Sequence, residues 1–109
     1  MNRDQEVRII SKNAFKEATK EYPTDAVAIM DLHDRLKATN FDTPEELMSA
    51  VTGVDNFKHK GHWYVIDIAG NNLRLIAYIS FVKHKLYVKY IVSHAEYDKI
   101  NAKAYRGKI

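Results

Sequence analysis

The chain has 109 residues, 46% of them hydrophobic, and a formal net charge of +3. Its length predicts a single domain over residues 1–109 with a small core, and the lack of cysteine excludes disulfides and thiolate chemistry. No apolar run approaches the roughly 18 residues of a membrane span, and the N-terminal MNRDQE lacks the apolar core of a signal peptide. We therefore expect a soluble cytoplasmic protein with no membrane partner.

The charge is divided unevenly between the two halves of the chain. Residues 1–55 carry 7 Lys or Arg and 11 Asp or Glu, whereas residues 56–109 carry 10 and 3. A basic surface attracts polyanions and speeds their capture. The asymmetry predicts a nucleic-acid partner, and the alternative is a basic surface that is merely solvated.

One short strand and two helices are predicted at the beginning of the chain. The run at 7–10 is typical of a strand, and Ser11 can cap a helix over about residues 12–22, which Pro23 ends. Apolar residues at helical spacing predict a second helix over about residues 25–38.

The third helix has a clear start. Thr43 suits the N-cap, Pro44 suits the first helical position, and Glu46 completes a capping box. This helix is expected to run to about Val51 and to stop at Gly53.

The second half changes to strand periodicity. Aromatic and β-branched residues predict strands over 62–68, 73–81 and 86–93. The Gly and Asn residues within 69–72 favour a turn, because both tolerate positive φ. A short final helix is predicted over about residues 94–103.

Alternation along the last two strands predicts which side chains face the core. The expected core side carries Leu73, Leu75, Ala77, Ile79 and Phe81, with Leu86, Val88, Tyr90 and Val92. The opposite side carries Arg74, Tyr78, Tyr87 and Lys89, diluted by Ile76 and Ile91. The predicted fold class is α+β, with element order β-α-α-α-β-β-β-α. The N-terminal helices pack on one face of a mainly antiparallel sheet, and the other face stays partly open.

Three segments carry a family resemblance: DNFK at 55–58, GNNLR at 70–74 and HAEYDK at 94–99. With the order of elements, they resemble the HigB-type toxins of bacterial toxin–antitoxin systems, which belong to the RelE superfamily of small ribonucleases. The likeness extends from about Ile9 to Asn101. It implies a small RelE-like fold, cleavage of messenger RNA on the translating ribosome, and neutralisation by a HigA-type antitoxin.

The chemistry of such an enzyme matches three residues of this chain. A metal-free ribonuclease uses the 2′-hydroxyl of its substrate as nucleophile, so it needs a base, a cation for the phosphorane and an acid for the leaving 5′-oxygen. Arg74 suits the cation, because its fixed fork of donors matches phosphate. His94 and Tyr97 can exchange protons, and Tyr97 can also stack on a base. The structural alternatives are a surface arginine for Arg74, a helix cap for His94 and core packing for Tyr97.

A basic segment before the second predicted strand adds further candidates. Lys58 matches the family pattern and is the fourth catalytic candidate, since its charge can bind phosphate or lower the pKa of a base. The candidate RNA-binding residues are Lys60, His62, Tyr87 and Lys89. His59 and His62 have the spacing of half a metal site, but no third ligand is evident nearby, and we expect no metal and no cofactor. The base stays unassigned, because family members rely either on tyrosine and lysines or on histidines, and this chain has both.

Two other functions fit the same composition. A non-catalytic module that binds RNA or the ribosome could use the same basic sheet to inhibit translation. DNA binding is a weaker alternative, because no predicted helix has a basic recognition face.

Overall fold

The computed structural model describes residues 8–10, 13–57, 61–70 and 72–105, with side chains as far as Asn101. The elements in chain order are β1 (Arg8–Ile10), α1 (Ala14–Glu21), a 3-10 turn (Pro23–Asp25), α2 (Ala26–Ala38), α3 (Pro44–Ala50), β2 (Val54–Asn56), β3 (Trp63–Ile68), β4 (Leu73–Ser80), β5 (Lys85–Ser93) and α4 (His94–Tyr105).

The five strands form one sheet in the order β1-β5-β4-β3-β2. Neighbours are antiparallel except that β1 runs parallel to β5. The prediction of an α+β fold with a mainly antiparallel sheet is confirmed. The prediction lacked β2, a three-residue strand with the sequence VDN that pairs with β3. Asp and Asn are poor strand formers, so β2 depends on its partner rather than on its own sequence.

The three N-terminal helices pack on one face of the sheet, which we call the inner face. They contribute Phe15, Ala18, Ile29, Leu32, Leu36 and Leu47 to the main core. These side chains meet Leu75, Ala77, Ile79 and Leu86 from β4 and β5. The predicted inward alternation of β4 is therefore confirmed.

The ends of two helices differ from the prediction in detail. Helix α1 begins at Ala14 with Asn13 at the cap position, later than the predicted start at about residue 12, and the predicted cap Ser11 lies outside the described residues. The Thr43 hydroxyl accepts from the Glu46 N–H at 3.2 Å, as predicted. The Glu46 carboxylate, however, accepts from the Asp42 N–H at 2.8 Å, so the return bond of the capping box lies one residue before the cap.

A β-bulge reverses the alternation of β5. Ala77 pairs with Val88 and Ile76 pairs with Tyr90, which leaves Lys89 as the extra residue. After the bulge Ile91 packs on the main core, so its predicted place on the opposite side is wrong. The prediction that Tyr90 and Val92 face the main core is therefore wrong: Tyr90 packs on the opposite side, and Val92 pairs with Arg74 there.

The opposite face of the sheet, the outer face, is less open than predicted. Phe57, Val65 and Ile76 form a small second core on it. Tyr97 and Ile100 of α4 pack against this core, so α4 covers part of the face. Ile76 is 1% exposed, because burying an apolar side chain in the middle of a strand is favourable on either face of a sheet.

Candidate functional site

Arg74 projects from the outer face of β4, and its side chain is 11% exposed. Its Nε lies 3.2 Å from Asp67 Oδ1, its Nη1 donates to the Leu73 carbonyl at 3.3 Å, and its Nη2 donates to His94 Nδ1 at 3.0 Å. Asp67 is the cross-strand partner of Arg74 on β3. The sheet register and α4 therefore hold the guanidinium in one orientation.

His94 is the first residue of α4, and its backbone N–H donates to the Asn72 carbonyl at 3.2 Å. A guanidinium only donates, so His94 Nδ1 is the acceptor and the proton of the neutral imidazole is on Nε2. That Nε2 lies 3.6 Å from Asp98 Oδ2. The helix-capping role considered for His94 belongs to Ser93, whose hydroxyl accepts from the Glu96 N–H at 3.2 Å.

Tyr97 lies one helical turn after His94 and contacts Arg74 through its ring face. The Arg74 Cζ is 5.7 Å from the ring centroid, a cation–π distance. The ring also packs on Phe57 with centroids 6.3 Å apart. Burial and the charges of Asp55, Asp98 and Asp67 raise the pKa of Tyr97 above 10.0, against the opposing effect of Arg74. The phenol is therefore a neutral hydrogen-bond donor at physiological pH.

Arg74 and Tyr97 line a cleft of about 480 Å³ between the outer face and α4, which we call the Arg74 cleft. His94 reaches this site through its contact with Arg74. The lining of the cleft includes Asp55, Asn56, Asp67, Arg74, Tyr97 and Asn101. The arrangement combines a fixed cation with a phenol donor and two carboxylate acceptors. Such a site can bind a phosphate at its cation and exchange protons beside it.

Gly53 determines how Asp67 fits into the cleft. The Gly53 carbonyl accepts from the Asp67 N–H at 3.0 Å. Gly53 has φ of +79°, and a Cβ there would meet the Asp67 Cβ at 3.0 Å. Neither residue belongs to the set predicted from the sequence. The sequence signal for Asp67 is that it is the only acidic residue in the otherwise apolar strand WYVIDI. Its position opposite Arg74 follows from the strand pairing.

The predicted residues fall into two groups in the structure. Arg74, His94 and Tyr97 come together around the Arg74 guanidinium, whereas Tyr87 and Lys89 lie exposed elsewhere on β5. His62, also exposed, has its ring 6.0 Å from the ring of Tyr78.

The segment with the remaining candidates, 58–60, lies outside the described residues, so Lys58, Lys60 and His59 have no structural account. Within the described part of the chain, no group of three or more His, Asp or Glu side chains could hold a metal ion. In the same part, no helix is long and apolar enough to cross a membrane.

Comparison with known proteins gives consistent matches. Residues 25–100 match the HigB toxin family, described as the RelE-like toxic component of a toxin-antitoxin system. The chain is 51% identical over 94 residues to the mRNA interferase HigB of Escherichia coli O6:H1, covering 86% of this chain and 91% of that protein. It is 31% identical over 96 residues to the mRNA interferase toxin HigB of Escherichia coli K12 and to the mRNA interferase HigB of Shigella flexneri, covering 88% of this chain and 92% of each relative.

Proposed function

Because this chain belongs to the HigB family of RelE-like toxins, we propose that it is an endoribonuclease, an mRNA interferase that cleaves messenger RNA on the translating ribosome. One observation carries the assignment of the site. The Arg74 guanidinium lines the cleft together with Tyr97 and contacts both the Tyr97 ring and His94, so a phosphate-binding cation lies beside two groups that donate hydrogen bonds.

The proposed reaction is attack by the substrate's 2′-hydroxyl on the adjacent phosphorus. The P–O bond to the 5′-oxygen breaks, and a cyclic phosphate and a free 5′-hydroxyl form. Arg74 stabilises the charge of the phosphorane, because its donors match the phosphate oxygens. The neutral phenol of Tyr97 gives its proton to the leaving 5′-oxygen. The Nε2–H of the neutral His94 imidazole donates a hydrogen bond and keeps its proton.

A proton acceptor is also needed for the 2′-hydroxyl. The carboxylates of Asp55 and Asp67 line the cleft and can accept a proton. Asp67 Oδ1 contacts the Arg74 Nε and Asp55 Oδ1 accepts from the Asn56 N–H at 2.8 Å. Both carboxylates are therefore candidates for the base. Lys58 remains a fourth candidate for the catalytic group, with Lys60, His62, Tyr87 and Lys89 as residues that bind RNA.

The proposal extends to partners and location. A toxin of this family has an antitoxin, and we propose one of HigA type that keeps the toxin from the ribosome. The whole chain acts as one toxin domain in the cytoplasm, where ribosomes translate. The proposed reaction uses no cofactor, since every step is assigned to a side chain or to the substrate.

The test is primer extension on a reporter messenger RNA in cells that express the toxin, with and without its antitoxin. We expect cuts within the translated region that disappear with Arg74→Ala and with antitoxin. Arg35→Ala is the matched control, because Arg35 is exposed on α2, and it should leave the cuts unchanged. Translation arrest without any cuts would instead support the non-catalytic RNA-binding alternative.

A further inference from the structure

A row of three aromatic side chains crosses the outer face of the sheet, apart from the Arg74 cleft. Trp63 on β3 pairs with Tyr78 on β4, and Tyr78 pairs with Tyr87 on β5. Their ring centroids are 5.7 Å and 6.1 Å apart. We call Trp63, Tyr78 and Tyr87 the aromatic row. Its central residue, Tyr78, lies four residues after Arg74 on β4, which is about 13 Å at the usual rise of a strand.

The rings of the row remain accessible. Tyr87 is 37% exposed, and Trp63 and Tyr78 are partly exposed. The planes of neighbouring rings are inclined by 73° and 57°, so no ring of the row lies flat on the next. A flat ligand can therefore contact the ring area that faces solvent.

Two lysines flank the Tyr87 end of this row on β5. Lys85 lies two residues before Tyr87, which is the spacing of one strand face, and Lys89 follows Tyr87 at the bulge. Lys89 is the extra residue of the bulge and is exposed, with its Nζ 5.7 Å from the ring centroid of Tyr90. The exposed ring of His62 lies 6.0 Å from the ring of Tyr78 at the centre of the row.

Aromatic rings interleaved with cations are the combination that single-stranded nucleic acids bind. Bases stack on the rings, and the cations attract the phosphates between them. A protein partner would be served by the exposed rings, but only an acidic segment would also gain from the lysines around Tyr87, whereas every RNA carries the phosphates that lysines attract. The charge pattern therefore favours RNA as the occupant.

We propose that the aromatic row is a nucleobase-stacking subsite that holds single-stranded RNA beside the Arg74 cleft. The proposal rests on the proposed function, because it takes the RNA substrate from there. Stacking uses the face of a ring and is tolerant of base identity. The row therefore contributes to RNA affinity over a range of sequences, and the bond-breaking step belongs to the Arg74 cleft.

The test uses a fluorescein-labelled, fully 2′-O-methylated oligoribonucleotide of mixed sequence, which cannot be cleaved because its 2′-hydroxyls are blocked. Binding to the purified full-length chain is measured by fluorescence anisotropy at low salt. We expect Tyr87→Ala to raise the Kd about tenfold or more. Tyr87→Phe should bind like the wild type, because it keeps the ring. Met48→Ala, at a position 40% exposed on α3, is the control and should also leave the Kd unchanged.

Tyr78→Ala tests the centre of the row, and thermal unfolding shows whether it folds. Tyr87 is exposed, so Tyr87→Ala decides the matter even if Tyr78→Ala unfolds. A wild-type Kd of Tyr87→Ala for the oligoribonucleotide overturns the proposal. If that variant also no longer binds the antitoxin, the aromatic row is a protein interface instead.

The binding test of the aromatic row and the cleavage test of the ribonuclease can give independent answers. Cuts in cells together with a wild-type Kd for Tyr87→Ala contradict the subsite and leave the enzyme in place. Ring-dependent RNA binding without any cuts supports the subsite and contradicts the enzyme.

Discussion

Asp67 and Arg74 face each other across β3 and β4, and Asp67 Oδ1 lies 3.2 Å from Arg74 Nε. This pair leaves the Nη2 of Arg74 pointing at His94. The close approach of Gly53 to Asp67 fixes the carboxylate in turn. The orientation of the guanidinium therefore derives from strand register, which is more rigid than a loop.

Asp67 is expected to act as a positioning residue. Asp67→Ala should lower the single-turnover rate of messenger RNA cleavage about tenfold, while the toxin concentration for half-saturation does not rise, because removing a carboxylate reduces repulsion of phosphate. Asp67→Asn keeps an oxygen acceptor for Nε and should recover part of the rate. The control is Asp31→Ala, exposed on α2. A wild-type rate for Asp67→Ala contradicts the positioning role.

Arg74→Lys should recover only part of the activity that Arg74→Ala loses. An ammonium group keeps the charge but lacks the planar fork that reaches Asp67 and His94 together. Growth arrest and primer-extension cuts at matched expression are the measurements, with Arg35→Lys as the control. Full toxicity of Arg74→Lys would show that only the charge matters.

His94→Ala and Tyr97→Phe should each reduce the single-turnover rate about a hundredfold, with ribosome binding nearly unchanged. The double variant should be much less than additively worse, because residues that act as a unit lose their function together. Tyr97→Phe keeps the ring that contacts Arg74 and Phe57 and removes only the hydroxyl. Tyr90→Phe, in the same second core, is the matched control. A normal rate for Tyr97→Phe limits Tyr97 to packing and base contact.

Binding to ribosomes should weaken steeply between low and physiological salt, because bound lysines and arginines release counterions from RNA phosphates. Sedimentation with ribosomes over a salt series measures the slope of log affinity against log salt. Lys89→Ala should reduce that slope by about one. Lys16→Ala, exposed on α1 in the acidic half, should leave it unchanged. A salt-insensitive affinity would make the basic half incidental to binding.

Stability should fall as the pH rises above about 10. Burial raises the pKa of Tyr22, Tyr64 and Tyr97 above 10.0. Above this pH the unfolded chain has lost protons that the folded chain still holds, so the free energy of unfolding decreases with pH. Below it these three groups are protonated in both states and contribute no pH dependence.

Denaturant unfolding at about pH 9 and about pH 11 measures this effect. Tyr64→Phe and Tyr97→Phe should each lose less stability between the two conditions than the wild type. Tyr87→Phe, at an exposed position, is the control and should follow the wild type. Equal losses in all four proteins would assign the high-pH effect to lysines.

The sequence by itself determined the elements whose information is local. Helix α3 begins at Pro44, because Thr43 and Pro44 suit the first positions of a helix. Apolar periodicity predicted α2, and alternation on β4 predicted that the Arg74 side chain points away from the core side of the sheet. His94 and Tyr97 came within reach of Arg74 because a strand that pairs with β4 runs directly into α4.

Only the tertiary structure decided the features that depend on pairing between distant segments. Strand β2 exists through its bonds to β3, and the bulge at Lys89 reverses every later side chain of β5, since alternation has a period of two. Burial of Phe57 and Ile76 under α4 closed part of the outer face. The contact of Asp67 with Arg74 required a register that no single strand specifies. Local preferences act within a few residues, whereas strand register and burial are settled by the whole packed sheet.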